Sequence, residues 1–382
     1  AQLLGDHRAA ADHFLRVKER APTSAIRTAA ECDAAAALVQ LEDWTTAAGV
    51  LEDFRDTHTE HELAPDATRQ LAFIYREDGQ LAKSAEEHER IADESDDPEL
   101  GREALLVAGD LYEEADEMDR ALALYERYVD EHPSPLDTAL EIRTRMAELY
   151  DEGGSDARYH EELQRIVALD KAAGTERTDR TRFLAAKSAL VLAELAYDHF
   201  VAHEVRQPLE ENLAEKQGRM DAAMTAFEQL VDYEVGEVTA AATFYMAEIF
   251  YDFSMALLES ERPTDLTDAE NQEYELMIEE EAYPFEEQAI DVHEKNIELL
   301  AAGVYNSWVQ SSLTKLAVLM PGRYAKVELS SGFIGSIDFY AYRMPIVPLD
   351  PAPEGDVEMA AVDDTADSSA AVTVLAGSRQ AP

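Results

Sequence analysis

The hexapeptide Gly79-Gln-Leu-Ala-Lys-Ser84 decides the fold, because its pattern of a turn residue followed by a small residue returns along the chain. Related hexapeptides start at residues 5, 42 and 116, a constant spacing of 37 residues, and a fifth copy starts at Gly154 after one inserted residue. A fixed period of this length is typical of repeat architectures. The sequence therefore predicts an elongated all-α stack rather than two or three globular domains.

Aligning the copies on their turns gives each structural position of a helical hairpin its own kind of residue. Small residues, where the two helices of a hairpin would touch, are Ala10, Ala47, Ser84 and Ala121. Large apolar residues of the second helix are Val17, Phe54, Ile91, Tyr128 and Ile166. Bulky residues that close the first helix are Leu38, Tyr75, Tyr112 and Tyr150. Pro22 and Pro133 follow the second helix, where a residue without an N–H can end it.

This pattern resembles the tetratricopeptide repeat (TPR) family over residues 1–170. The resemblance implies an α-solenoid of helical hairpins that binds other proteins. Glu42 and Asp116 replace the turn glycine, Thr59 and Asp96 replace the proline, and the period of 37 exceeds the 34 that is usual for the family. Longer loops between repeats and an altered superhelical pitch are therefore expected.

The chain begins just before a turn, so the first helix of that hairpin would precede residue 1. Half a hairpin cannot bury the apolar stripe of Ala10, Phe14 and Val17 alone. We therefore expect the array to continue on the N-terminal side.

Residues 171–322 predict a C-terminal cap of longer, more aromatic helices in an irregular register. One helix is expected over residues 180–205, ended by Gln207-Pro208 and a charged stretch to Lys216, and a repeat-like second helix follows from Gly218. Later helices are expected over residues 238–259, from the capping box Thr267-Asp-Ala-Glu270, from Tyr283-Pro284 to Leu300, and over residues 303–320. This block also resembles the C-terminal regions of large bacterial repeat proteins associated with Tol- and Ton-type envelope systems, a resemblance that carries no site residues.

Two further segments change character. Residues 323–344 include the alternation of Ile337, Phe339 and Ala341, which indicates a short β-like segment. Residues 345–382 are rich in Pro, Ala, Asp and Ser, a composition typical of a disordered tail.

Charge excludes several classes of partner. The 81 Asp and Glu residues against 32 Lys and Arg give a formal net charge of -49, so nucleic acid and anionic membrane surfaces are not expected partners. No stretch of about 18 apolar residues occurs, which argues against direct membrane insertion. Only eight of the cations are Lys, and high acid with scarce Lys favours a halophilic protein. A merely self-repelling surface is the alternative.

No catalytic, cofactor-binding or metal-binding site is predicted. His199 and His203 are four residues apart, as a two-point metal site requires, but the full HExxH pattern is absent and surface or packed histidines are the simpler interpretation. His58 and His61 are interpreted as a solvated loop cluster. The lone Cys32 is interpreted as a small core residue rather than a reactive thiol.

A partner-binding site is the better hypothesis. In solenoids the first helices line a concave groove, where Arg side chains could bind a partner carboxylate. The candidate residues are Arg69, Arg76, Arg102, Arg143 and Arg145, with Trp308 as an interface anchor. The alternatives are pairing of the arginines with acids of this chain, and a core position for Trp308.

The sequence thus predicts a non-enzymatic scaffold that holds other proteins or peptides in a multi-protein complex of the bacterial cell envelope. A periplasmic or envelope-associated location is expected, with a cytoplasmic one as the alternative. The other readings are a cytoplasmic co-chaperone-like adaptor, a structural filament subunit, and a repeat-containing cell-wall enzyme such as a lytic transglycosylase.

Overall fold

The computed structural model describes residues 6–21, 24, 26–264 and 266–326, and every regular element within these ranges is a helix. The helices are α1 (His7–Arg20), α2 (Arg27–Val39), α3 (Trp44–Thr57), α4 (Ala64–Glu77), α5 (Leu81–Glu94), α6 (Pro98–Glu114), α7 (Met118–Glu131), α8 (Leu136–Glu152), α9 (Asp156–Ala172), α10 (Asp179–Val201), α11 (Leu209–Val231), α12 (Gly236–Leu258), α13 (Asp268–Glu298), α14 (Ser307–Leu319) and α15 (Pro321–Tyr324). Arg323 and Tyr324, placed in the predicted β-like segment, belong to α15. The rest of that segment from residue 327, the predicted tail and Pro22 lie outside the described residues.

The turns that join α2 to α3, α4 to α5, α6 to α7 and α8 to α9 share one backbone geometry. Their left-handed residues are Glu42, Gly79, Asp116 and Gly154, with φ of 55°, 75°, 62° and 67°. In each turn the next residue donates its N–H to the carbonyl of the bulky residue that closes the first helix, as Gln80 does to Tyr75 at 2.8 Å. The turn register predicted from the 37-residue period is confirmed, and Glu42 and Asp116 adopt the conformation of the glycine they replace.

The hairpins pack through the small and large positions that the alignment predicted. Ala47, Ser84 and Ala121 are fully buried where the two helices of a hairpin meet. Phe54, Tyr128 and Ile166 are buried on the second helices, and Val17 on α1 is half-buried. Burial of a large apolar side chain such as Phe54 or Ile166 contributes about 1.5–3 kcal/mol to the stability of the fold. The result is an all-α solenoid of tetratricopeptide-like hairpins.

A repeated tyrosine contact links successive hairpins. The tyrosine that ends the first helix donates its hydroxyl to a glutamate of the preceding second helix, and the three pairs are Tyr75 with Glu52, Tyr112 with Glu89, and Tyr150 with Glu126. A cation of the following second helix lies over each ring, and the cations are Lys83, Arg120 and Arg158 at 5.0, 4.0 and 5.4 Å from the ring centroids. Each tyrosine therefore joins three helices.

Replacing Tyr112 by Phe is expected to lower the free energy of unfolding by about 1 kcal/mol, because the ring packing remains and only the hydrogen bond to Glu89 is lost. Urea denaturation followed by circular dichroism measures the change. Tyr283→Phe is the matched control, since Tyr283 bonds Glu287 in the same way on an exposed surface. Equal effects of the two changes would contradict a structural role for the repeated contact.

The C-terminal block differs from its sequence prediction in two places. The charged stretch before Lys216 is helical, because α11 begins at Leu209, and Gly218 lies inside that helix rather than at a turn. Pro284 does not start a new helix but lies within the 31-residue α13. Proline has no N–H, so the carbonyl four residues earlier in α13 lacks its helical donor. Pro284 is exposed, and on an exposed face this loss destabilises the helix least. The capping box of Thr267 and Glu270 is confirmed at the start of α13.

Helix α12 is the centre of this block. Helices α10, α11, α13 and α14 all contact it, and its apolar residues lie around its whole circumference. Phe227 of α11 stacks on Tyr245 of α12 at 4.8 Å, and Phe253 of α12 packs on Phe285 of α13 at 4.6 Å. The block is therefore held by an aromatic core rather than by the repeated small-residue contacts of the first hairpins.

Candidate groove of the helical hairpins

A surface hollow of 350 Å³ lies between the first helices α4 and α6, with α5 beneath it. Both α4 and α6 are first helices of their hairpins, so the hollow is on the side where the partner groove was predicted. Its lining is Arg69, Ala72, Phe73, Arg76, His88, Ile91, Leu100, Glu103, Ala104 and Val107. Six of these ten side chains are apolar, and two arginines, His88 and Glu103 accompany them.

Phe73 gives the hollow an exposed aromatic wall. Half of the Phe73 side chain is exposed, and its edge contacts Trp44 of α3, with ring centroids 6.3 Å apart. On the opposite face of α4, Leu71, Ile74 and Tyr75 are buried in the solenoid. An exposed aromatic beside an apolar hollow is a common anchor for a partner side chain.

Arg76 supplies a positive charge to the hollow, which Glu103 of α6 also lines. It forms no ion pair or side-chain hydrogen bond with any residue that the structure describes. Arg69, about two helical turns before it, pairs with Asp66 on the exposed surface. In a chain with a net charge of -49, an arginine without an ion-pair partner beside an apolar hollow can bind a carboxylate of a partner molecule.

His88 faces the same hollow from α5. Burial, followed by the positive charge of Arg76, lowers the pKa of His88 below its ordinary value, while Glu103 opposes the shift. The imidazole is therefore neutral at neutral pH. An anion bound beside Arg76 would favour its protonation, because opposite charges stabilise each other.

The other predicted arginines are occupied by acids of this chain. Arg102 pairs with Glu99 on α6. Arg143 pairs with the buried Glu162 at 2.9 Å, and Arg145 contacts both Glu113 and Glu148. With Arg69 on Asp66, pairing within the chain thus describes four of the five candidates. Of the five, Arg69 and Arg76 line the hollow between α4 and α6.

Trp308 packs within the C-terminal block. It is half-buried, and its ring lies 5.5 Å from Phe244 and 5.3 Å from Tyr245. This is the core position that the sequence left open as the alternative to an interface anchor.

The histidine pairs show no metal-binding geometry. His199 lies in α10, but His203 lies beyond the end of that helix, with its Nε2 3.2 Å from the carbonyl oxygen of Asn212. His58 and His61 pack on Phe54 instead of extending into solvent. In the described part of the chain, no three His, Cys, Asp or Glu side chains converge as a metal site requires.

Two further sequence expectations have structural counterparts. Cys32 is half-buried against the core of the first hairpins, and burial raises the pKa of its thiol. None of the helices within residues 6–326 that are described is long and apolar enough to cross a membrane.

Sequence reasoning missed Phe73 and His88. Phe73 had a usable signal, since it is the one large apolar residue of α4 that lies out of phase with the buried stripe of Leu71, Ile74 and Tyr75. His88 had none, because its place in the hollow depends on how α5 packs between α4 and α6.

Comparison with known proteins supports the repeat. Residues 103–135, which include α7 and most of α6, match the sequence profile of the tetratricopeptide repeat. No curated protein matches the chain. Among solved structures, a tetratricopeptide repeat protein from Parabacteroides merdae is 18% identical, with a TM-score of 0.28, over 76% of this chain and 98% of its own. The TPR domain of P58(IPK) is 14% identical, with a TM-score of 0.22, over 85% and 96%. At these TM-scores neither structure bears on what this chain does.

Proposed function

We propose that this chain, which carries a tetratricopeptide repeat within a solenoid of similar hairpins, is a non-enzymatic scaffold. It binds other proteins through the hollow between α4 and α6. The carrying observation is the combination of the exposed Phe73 with the unpaired Arg76. A solenoid can present such a surface without rearranging, because its helices are fixed by contacts between neighbouring repeats.

The hollow selects a ligand by its chemistry. A volume of 350 Å³ is at the lower end of ligand pockets, so it accepts one or two side chains of a peptide rather than a whole domain. The apolar lining favours an apolar side chain, and Arg76 favours a neighbouring carboxylate. The proposed ligand is therefore a segment of a partner protein in which an apolar residue lies next to an acid or a chain terminus.

The test is selection of peptides from a random display library on the intact chain. Enriched peptides should combine apolar and acidic residues, and Phe73→Ala with Arg76→Ala should weaken their binding by about tenfold or more. The matched control is Val231→Ala with Arg206→Ala, an exposed apolar residue and an exposed arginine outside the hollow. Selected peptides that bind both variants equally well would overturn the proposal.

Binding should also depend on pH through His88. An anion bound beside the imidazole raises the pKa of His88 in the complex, so the complex holds more protons than the free protein and affinity rises as the pH falls. Between about pH 7.5 and about pH 5.5 we expect several-fold tighter binding of a selected acidic peptide. Fluorescence anisotropy measures it, and His88→Gln should flatten the profile. An equally steep profile in that variant would assign the effect to another group.

The proposed setting is a multi-protein complex of a bacterial envelope, with the protein periplasmic or envelope-associated. It is supported by the acidity of the chain and by the resemblance of its C-terminal block to Tol- and Ton-associated repeat proteins. Fractionation of the native cells tests this location. Recovery of the full-length protein only from the cytosol would favour a cytoplasmic adaptor instead.

A further inference from the structure

Helix α13 carries a line of apolar side chains on its outer face. Leu276, Tyr283 and Ile290 are spaced seven residues apart, so they follow one line along the helix. Leu276 is 62% exposed, Tyr283 is 58% exposed, and Ile290 is half-buried. The buried residues of α13 are on the opposite face, where Ile278 and Ala282 join the core around α12. The outer line is thus not needed to hold α13 in place.

Glutamates run parallel to this line on both sides. By helical phase, one flanking row is Glu273, Glu280, Glu287 and Glu294, and the other is Glu279 and Glu286. Among the described residues, only Glu294 of these six has a cationic partner, Arg323. Glu287 accepts a hydrogen bond from Tyr283 at 2.8 Å. The flanking rows therefore present a field of unneutralised negative charge.

A hollow of 440 Å³ extends the apolar line at its C-terminal end. Tyr283 and Ile290 of α13 line it together with Met320, which follows α14. The rest of the lining is Asp291, three acids of the flanking rows, and Arg323, which pairs with Glu294. An apolar side chain at the right position of a bound helix could enter this hollow. The line and the hollow form one surface, which we call the α13 face, and it shares no residue with the hollow between α4 and α6.

We propose that the α13 face binds an amphipathic helix of a partner protein whose apolar residues recur every seven positions and are flanked by Lys or Arg. The spacing of seven lets two helices keep contact over several turns, because slight supercoiling holds such a seam together. The flanking glutamates occupy the places from which charges select partners in paired helices. A second copy of this chain is a poor occupant, since it would set glutamates against glutamates.

The probe is a synthetic three-heptad helical peptide with Leu along one stripe and Lys beside it. A second peptide has the same charge but Ser in place of each Leu. Fluorescence anisotropy at about 0.15 M salt should show the Leu peptide binding at least tenfold more tightly to the intact chain. Leu276→Ser with Tyr283→Ser should remove that difference, and Glu280→Gln with Glu287→Gln should weaken both peptides.

Two controls keep the result decisive. Val201→Ser with Val231→Ser removes exposed apolar residues elsewhere and should leave binding of the Leu peptide unchanged. Circular dichroism of every variant should show unchanged helicity, as exposed substitutions predict. Two outcomes would overturn the proposal: equal affinity of the Leu peptide for the intact chain and for the double variant Leu276→Ser with Tyr283→Ser, or equal affinity of the two peptides for the intact chain. Either would leave only a general attraction to an acidic surface. The result is independent of Phe73 and Arg76, so it can fail while the proposed function stands.

Discussion

Replacing Lys216 by Met should lower the free energy of unfolding by about 3 kcal/mol, because the carbonyls of Phe200, in the last turn of α10, and of His203, just beyond it, would lose a charged donor in a buried site. Lys216 is only 2% exposed, and its Nζ donates to the carbonyl oxygens of Phe200 at 2.6 Å and His203 at 2.9 Å. The ammonium also lies 4.1 Å from the centroid of the Phe200 ring. Lys216 therefore acts from α11 as the cap of α10, where a positive charge is favoured by the helix dipole.

Lys187→Met is the matched control. Lys187 pairs with Glu237 and lies 5.9 Å from the centroid of the Phe183 ring on a partly exposed surface, so its loss should cost less than about 1 kcal/mol. Urea unfolding followed by the fluorescence of Trp308, with Trp44 replaced by Phe, measures both changes, because Trp308 packs against the core that α10, α11 and α12 share. Equal stability losses in the two variants would show that Lys216 does not cap α10.

The region around Lys216 also shows which features could not be predicted from the sequence. The charged stretch before it suggested a break, yet Glu210 and Glu211 stand in the first turn of α11, where negative side chains favour helix formation. These two acids were a signal for a helix start in the sequence, and in the structure their effect outweighs the repulsion within the charged stretch. The contact between Lys216 and the end of α10 had no signal, because it joins residues whose proximity depends on the packing of two 23-residue helices.

The turn register, by contrast, could be predicted because it is local. Each turn needs a left-handed residue whose following N–H donates to a carbonyl near the end of the first helix, and both groups lie within six residues. Gly79 with Tyr75 therefore specifies the same turn as Asp116 with Tyr112. The candidate site was harder to predict. Whether an arginine is free or occupied depends on acids far along the chain, as the pairing of Arg145 with Glu113, 32 residues earlier, demonstrates. Arg76 and Arg145 look alike in the sequence and differ in their neighbours.

The second large effect concerns two glycines inside helices, for which the same substitution should have opposite signs. A Cβ at Gly109 of α6 would lie 2.5 Å from Cε1 of Tyr125, whereas a Cβ at Gly49 of α3 would meet nothing within 4 Å. Gly109→Ala should therefore destabilise the protein by about 2 kcal/mol, the cost of overpacking less the gain in helix propensity. Gly49→Ala should stabilise it by about 1 kcal/mol.

Tyr125 cannot easily move away from Gly109. Its side chain is 1% exposed, and its hydroxyl donates to Asp110 at 2.7 Å, so the ring is held from both ends. Gly109 thus allows α6 and α7 to approach closely within the segment that matches the tetratricopeptide repeat. Urea denaturation of the two variants measures both signs. Stabilisation by Gly109→Ala would mean that Tyr125 can adjust, and that the close approach of α6 and α7 is not what requires glycine here.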